Sequence, residues 1–387
     1  MDVSVDFICG AALYVTRKVI DGIVQDLHRD PNTALESVYI GERKKKALTV
    51  DVTAQRSFRA YLEGYHGGKI KAKFLGEETL RDPNLNLSAS SGVHCLIDPV
   101  DGTDLVERGL SNWCSATVFF DPARPSGNKI LAAFVGIPTG EIYYACNGNA
   151  GALLNLRGKK THGPVGGPSS VTRLVKSSLC FYGQKPKNLL SIVPLLNRLN
   201  EKHSESKDEF RIYNLGGIPM MMKMIDHRVK HSRGIDAIIE LDTQKVHDVV
   251  AGAYIAKKAG AIMRRLSGDD ITYSDLENAL LTPSKEMEPY ILASTKDLST
   301  EILSLLNESK KLTVATISVN KKCVFSECDR QHLVSADANV SMPHEILDLV
   351  KNVTWGNSSE RCNNCKKDVQ SETTFRPLPS MGIDRLD

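Results

Sequence analysis

The chain has 387 residues, 41% of them apolar and 25% charged, with a formal net charge of +3. That length can bury a large core and suits two or more packed subdomains. So small a net charge leaves no electrostatic footprint for nucleic acid or a membrane surface, and no apolar segment approaches the roughly 20 residues that span a bilayer.

Apolar residues spaced by three and four (Val5, Ile8, Leu13, Val15, Val19, Ile20, Ile23, Val24, Leu27) predict a helix over 4–27 with one buried face. Asp2 and Asp6, with no basic n-region, predict no signal peptide. The run Arg43-Lys44-Lys45-Lys46 reads as a solvated loop or as a weak attractor of a phosphorylated substrate. A helix is expected over 51–63 with Asp51 near its start, then a strand at Lys71 to Leu75 that ends at Gly76-Glu77-Glu78.

Strands follow at Val93 to Ile97, Ser115 to Phe120, Ile130 to Gly136, Glu141 to Cys146 and Ala152 to Asn155. Short turns rich in Pro, Gly and Asn separate them, which predicts an antiparallel sheet. At the end of the first comes Asp98-Pro99-Val100-Asp101-Gly102-Thr103. Pro99 and Gly102 bend the chain so that Asp98 and Asp101 can face one point. Paired hard oxygens suit Mg²⁺, and the amides of Gly102 and Thr103 suit an anion. A bare pair of aspartates three apart is as readily an Asx-type turn in water.

The segment His162 to Ser170 is a linker candidate. Strand and helix then alternate: strands at Leu179 to Tyr182, Ala237 to Leu241 and from Ile291, helices at Leu189 to Asn200, Ile218 to Ile225, Val246 to Lys258 and up to Leu306. Such alternation indicates an α/β half. The expected organisation is 1–160, an α+β half with the acidic motifs; 171–309, an α/β half; and 310–387, a cysteine-containing extension.

Five of the nine cysteines are scattered through apolar segments, which predicts thiols in a reducing, cytoplasmic setting. The other four form two pairs in the extension, Cys323 with Cys328 and Cys362 with Cys365, with His332 as an alternative donor. Two such pairs can build a structural Zn²⁺ site; unbound thiols are the other reading.

Three further acidic segments stand far from the first in sequence. Asp51 lies in Leu48-Thr49-Val50-Asp51, Glu77 in Leu75-Gly76-Glu77-Glu78, and Asp248 in Val246-His247-Asp248-Val249-Val250-Ala251-Gly252. Singly, a Gly-Glu-Glu is commonly a turn, and an aspartate in a first helical turn usually complements the helix dipole. Together, in this order, the four segments resemble the inositol monophosphatase superfamily, which includes fructose-1,6-bisphosphatases and bisphosphate nucleotidases. Asn214-Leu215-Gly216-Gly217, Gly234-Ile235-Asp236-Ala237 and the glycine-rich 148–152 add to the likeness. It spans most of the chain and stops short of the extension.

The resemblance implies a layered α/β/α/β/α fold, with a large antiparallel sheet and a smaller mixed one. It implies an Mg²⁺-dependent, lithium-sensitive hydrolase of phosphate monoesters acting on a polyol or sugar phosphate, inositol monophosphate first. Glu77, Asp98 and the Val100 carbonyl would hold one ion. Asp98, Asp101 and Asp248 would hold a second, with a looser third near Glu77. Asp51 and Thr103 would activate the attacking water, and Gly102 and Thr103 would hold the phosphate. Glu240 would accept a substrate hydroxyl, or simply end a strand. Gly216 and Gly217 would border the substrate, or simply allow tight packing. A homodimer is implied too.

Two positions depart from the pattern: His247 stands where the family usually has Trp, and Asp104-Leu105 where it often has Asn-Phe. The imidazole of His247 could pack, or could hydrogen-bond a phosphate or ligand oxygen. Alternatives to a polyol phosphatase are a fructose-1,6-bisphosphatase, a bisphosphate nucleotidase, and a silent scaffold whose extension binds a partner.

Overall fold

The computed structural model describes residues 4–40, 45–65, 68–76, 80, 82, 84–156, 162–182, 192–193, 195–197, 199–200, 210–226, 234–309, 313–323, 338–342 and 369–377. The chain divides into two units, Met1–Ser304 and Leu305–Asp387.

In the first unit, helix α1 (Val5–Arg29) starts at Ser4, whose side chain accepts from the Phe7 amide. A short helix α2 (Pro31–Ala34) and a hairpin of β1 (Ser37–Ile40) and β2 (Lys45–Leu48) lead into α3 (Thr49–Gly64). A seven-stranded sheet follows, in the order β3 (Lys73–Leu75), β4 (His94–Asp101), β5 (Cys114–Phe120), β6 (Ile130–Gly136), β7 (Ile142–Cys146), β8 (Leu153–Asn155), β9 (His162–Pro164). The five-residue helix α4 (Thr103–Glu107) interrupts it after β4.

Alternate residues of this sheet enter two cores. Cys95, Ile97, Phe119, Phe134 and Tyr144 pack with the apolar stripes of α1 and α3. Leu96, Val118, Val135, Tyr143 and Ala145 pack on the other face, against α5 (Ile218–Ile225) and α6 (Val250–Lys258). Cover on both faces buries every residue of β5 and β6 and is why β6 is apolar without alternation, as in a buried sheet. Gly136 lets α1 lie close, since a Cβ there would stand 2.8 Å from Thr16 and Ile20.

Beyond α5 and α6 lies a mixed five-stranded sheet, ordered β11 (Arg211–Tyr213), β10 (Ser178–Tyr182), β12 (Ala237–Glu240), β16 (Tyr290–Ala293), β14 (Ile262–Arg265). A small pair, β13 (Gln244–Lys245) and β15 (Glu286–Met287), and helices α7 (Tyr273–Leu281) and α8 (Lys296–Ser309) complete the series. The layered α/β fold expected from the resemblance is the one observed. The second unit, by itself, carries an antiparallel sheet ordered β18 (Ala338–Met342), β17 (Thr313–Cys323), β19 (Val369–Pro377).

Local expectations needed correcting. β3 runs parallel to β4, so the large sheet is not wholly antiparallel. The expected linker contains β9, which pairs with β8 and extends the sheet. The expected helix over 246–258 is broken: Val246–Asp248 is a 3₁₀ turn, Val249 leaves helical geometry, and α6 begins at Val250. Three β-branched valines there disfavour continuous helix. Cys9 of α1 and Cys146 of β7 form a disulfide, against the expectation of thiols throughout. They lie 137 residues apart in sequence and meet only because α1 packs on β7. Cys95, Cys114 and Cys180 are free and buried. Arg43, Lys44, part of the 189–200 helix, Glu77, Cys328, His332, Cys362 and Cys365 lie outside the described residues, so the zinc reading does as well. Among the described residues no helix is long and apolar enough to cross a membrane.

Candidate functional site

The Asp-Pro-Val-Asp segment is not a turn after a strand but the bulged end of β4. The β4–β5 register shifts between Asp98 and Asp101. A bulge tolerates Pro99, which has no amide to give the ladder, and re-aims the side chains beside it. The Val100 amide donates to Asp98 at 3.2 Å. Gly102 then takes φ 94°, a left-handed turn that strains any other residue, and a Cβ would also stand 3.1 Å from the Asn112 carbonyl. The chain so reversed starts α4 at Thr103. Its hydroxyl donates to the Val100 carbonyl at 2.8 Å and lies 3.4 Å from both carboxylate oxygens of Asp51, in the first turn of α3.

Asp101 is held from two sides. The Ile218 amide donates to its Oδ2 at 2.9 Å and the Cys114 thiol lies 3.7 Å from the same oxygen. Gly217, at φ 77°, has no Cβ; one there would sit 3.1 Å from that oxygen. Asp248 sits on the 3₁₀ turn, and His247 Nε2 lies 3.1 Å from its Oδ1. Donor atoms of Asp98, His247 and Asp248 all lie within 4.8 Å of one another.

These carboxylates are electrostatically frustrated. Burial, then the charges of Asp248, Asp101 and Asp51, pushes the Asp98 carboxyl well above the usual range. Burial and Asp248 raise Asp101 to about 7, against the opposing Ile218 amide and Cys114 thiol. Burial and neighbouring carboxylates, not Lys or Arg, are the largest influences on both carboxyls. Carboxylates and a main-chain carbonyl brought together in this way fit a hard divalent ion.

The cluster opens into a cavity of about 710 Å³. Asp51, Asp98, Val100, Asp101, Gly102, Thr103, Gly216, Gly217, Glu240 and Asp248 all line it, so every described residue singled out from the sequence for the active site meets there. Gly76, the residue before Glu77 in the sequence, also lines the cavity; Glu77 itself lies outside the described residues. Gly76 packs against the end of the Gln55 side chain, which a Cβ there would push aside.

Several cavity residues escaped the sequence reading. Arg56 and Arg59 line one wall, about one and two turns beyond Asp51 on α3. Lys245 lines another part. Tyr182, Glu240 and Tyr290 occupy paired positions on β10, β12 and β16 and form part of the floor. Nothing near Arg56 or Tyr290 in sequence marks them, since only α3 packing and sheet register bring them here.

Glu240 is 3% exposed, and burial raises its carboxyl from an ordinary 4.5 to about 8. The folded chain therefore keeps a proton that the unfolded chain loses from about pH 4.5 upward, and stability falls as pH climbs across that window. Glu240→Gln cannot ionise. In urea melts with chelator present, the variant should gain on wild type between about pH 5 and pH 8 and match it at lower pH. Parallel pH profiles would place the responsible titration elsewhere.

A family model described as the inositol monophosphatase family matches residues 7–311. A 3'(2'),5'-bisphosphate nucleotidase of Oryza sativa is 23% identical over 228 residues, 54% of this chain and 60% of that protein, so the likeness spans less than two thirds of that relative. Among solved structures, the extragenic suppressor protein suhB of Bartonella henselae superposes with a TM-score of 0.55 at 16% identity, over 78% of this chain and 98% of that one. Inositol monophosphatase-II of Staphylococcus aureus does so in its complex with 2'AMP, with a TM-score of 0.52, 18% identity, and 78% and 95% coverage. The same enzyme bound to inositol monophosphate gives 0.51 at 18% identity, over 77% and 94%.

Proposed function

The chain belongs to the inositol monophosphatase family, and on that premise we propose that it is a metal-dependent hydrolase of a small phosphate monoester, with inositol monophosphate or a related polyol phosphate as the leading substrate. One observation carries the reading: Asp98, Asp101 and Asp248 converge on a cavity beside the Asp51–Thr103 pair. The Val100 carbonyl and Asp98, with Glu77, would hold one Mg²⁺; Asp98, Asp101 and Asp248 would hold a second. When bound, Mg²⁺ supplies charge neutralisation and a water acidic enough to attack at neutral pH.

The chain's own part follows from its geometry. With the Val100 carbonyl engaged, the Thr103 proton has Asp51 as its remaining acceptor, and the hydroxyl oxygen is free to accept from the attacking water. The Gly102 and Thr103 amides offer donors to a phosphate oxygen. Glu240, protonated near neutral pH, can give a hydrogen bond to a substrate hydroxyl as well as take one.

A second reading has its own support. Arg56, Arg59 and Lys245 line the cavity, and cations there suit a substrate with a second phosphate, such as a 3',5'-bisphosphate nucleotide or fructose 1,6-bisphosphate. Phosphate release with Mg²⁺, measured over inositol 1-phosphate, fructose 1,6-bisphosphate and a 3',5'-bisphosphate nucleotide, decides among them. No release from any of the three favours the silent scaffold.

Lithium at concentrations on the order of millimolar should inhibit by competing for a metal position. Unchanged rates would remove the chain from the lithium-sensitive branch. A homodimer is expected and is read by light scattering. The three buried free thiols suit a cytoplasmic setting, to which the Cys9–Cys146 bond is the exception.

A further inference from the structure

The departure at His247 falls inside the acidic cluster. Its ring is 8% exposed, yet it lines the cavity that Asp98 and Asp248 line. Its Nε2 points at Asp248 Oδ1 across 3.1 Å, and Asp98 completes a set of donors within 4.8 Å. Two donors at right angles on one ion, each about 2.1 Å away, lie about 3.0 Å apart, and opposed donors about 4.2 Å. The His247–Asp248 spacing fits adjacent positions on one ion, and the outer limit of the set needs only modest closure. An indole at this position would offer no lone pair to a metal.

We propose that His247 Nε2 is a nitrogen ligand of the metal centre in this chain, shared with Asp98 and Asp248, and that it shifts the centre's preference from Mg²⁺ toward Mn²⁺, Co²⁺ and Zn²⁺. The inference rests on the metal site proposed above. Imidazole adds little to a bond with Mg²⁺, which favours oxygen and water, but strengthens bonds to later divalent ions. The neighbouring residue on the same 3₁₀ turn supplies the carboxylate, so one short segment presents a mixed nitrogen–oxygen pair. A histidine that only held Asp248 by a hydrogen bond would leave the metal's donor set all oxygen.

The test uses the full chain, stripped with chelator and loaded with one equivalent of Mn²⁺. Electron spin-echo spectroscopy should show ¹⁴N modulation from a directly bound imidazole, and His247→Gln should lose it. By calorimetry on the same proteins, the variant's Co²⁺ affinity should fall at least about tenfold more than its Mg²⁺ affinity. The glutamine amide can still donate to Asp248, so a positioning role alone would survive the change. Bound Mn²⁺ without ¹⁴N modulation, or equal losses for Co²⁺ and Mg²⁺, overturns the inference while leaving the metal site intact. A wild-type chain that binds no Mn²⁺ overturns both. Should the variant fail to fold, the wild-type spectrum still decides.

Discussion

Asp101→Asn should lose at least about a thousandfold in kcat and yet, with chelator present at pH 8, melt a few degrees above wild type. The two halves of this result have one cause. Asp101 is a buried carboxyl raised to about 7 by burial and by Asp248, so ionising it costs the metal-free protein stability. Folding raises this acid's pKa, so the cost is absent below its unfolded value near 4 and grows as pH rises to about 7. Asparagine keeps the shape and an oxygen to accept the Ile218 amide, and it removes the charge.

With saturating Mg²⁺ the order should reverse. Ligand binding stabilises the folded state by RT ln(1 + L/Kd), where L is the free ligand concentration, and the variant, having lost a donor, binds more weakly. Thermal melts at several pH values, with and without Mg²⁺, test both halves. Near-wild-type turnover would remove Asp101 from the metal set. A variant less stable than wild type at every pH in chelator would make Asp101 a structural residue instead.

Legibility from sequence varied with the range of the interaction. The β5 and β6 segments with the short turns that bound them, and the apolar spacing of α1, are short-range signals, and they located two strands of a sheet and a helix with one buried face. The acidic motif was legible as chemistry but not as geometry, because a bulge depends on the partner strand β5 and cannot be read from β4 alone. Pro99 and Gly102 together read as a turn, whereas pairing at Asp98 and Asp101 carries the strand past Pro99 and only Gly102 turns the chain.

Features set by contacts across the chain were silent. Arg56 reaches the cavity through the packing of α3, and Tyr182 and Tyr290 through register with Glu240. The Cys9–Cys146 bond needs α1 laid on β7. His247 was noticed as a departure, but its place among the donors depends on a 3₁₀ turn that helical periodicity did not foresee.

Thr103→Val is the second change expected to act strongly, lowering kcat by about 10²–10⁴-fold with KM within about threefold. Valine matches threonine in shape and deletes only the hydroxyl that lies between Val100 and Asp51. That hydroxyl is placed to take a proton from the attacking water and pass one to Asp51, so its loss is felt in the reaction and little in binding. Thr103→Ser restores the oxygen and should recover most of the rate; recovery separates proton handling from packing. Asp51→Asn should cost a similar factor, because an amide oxygen is too weak a base to hold the proton. If the two residues act as one unit, the double variant is scarcely slower than the worse single one. Multiplying losses would mean that each acts alone, and a Thr103→Val enzyme keeping more than about a tenth of its rate would end the proposal that this pair activates water.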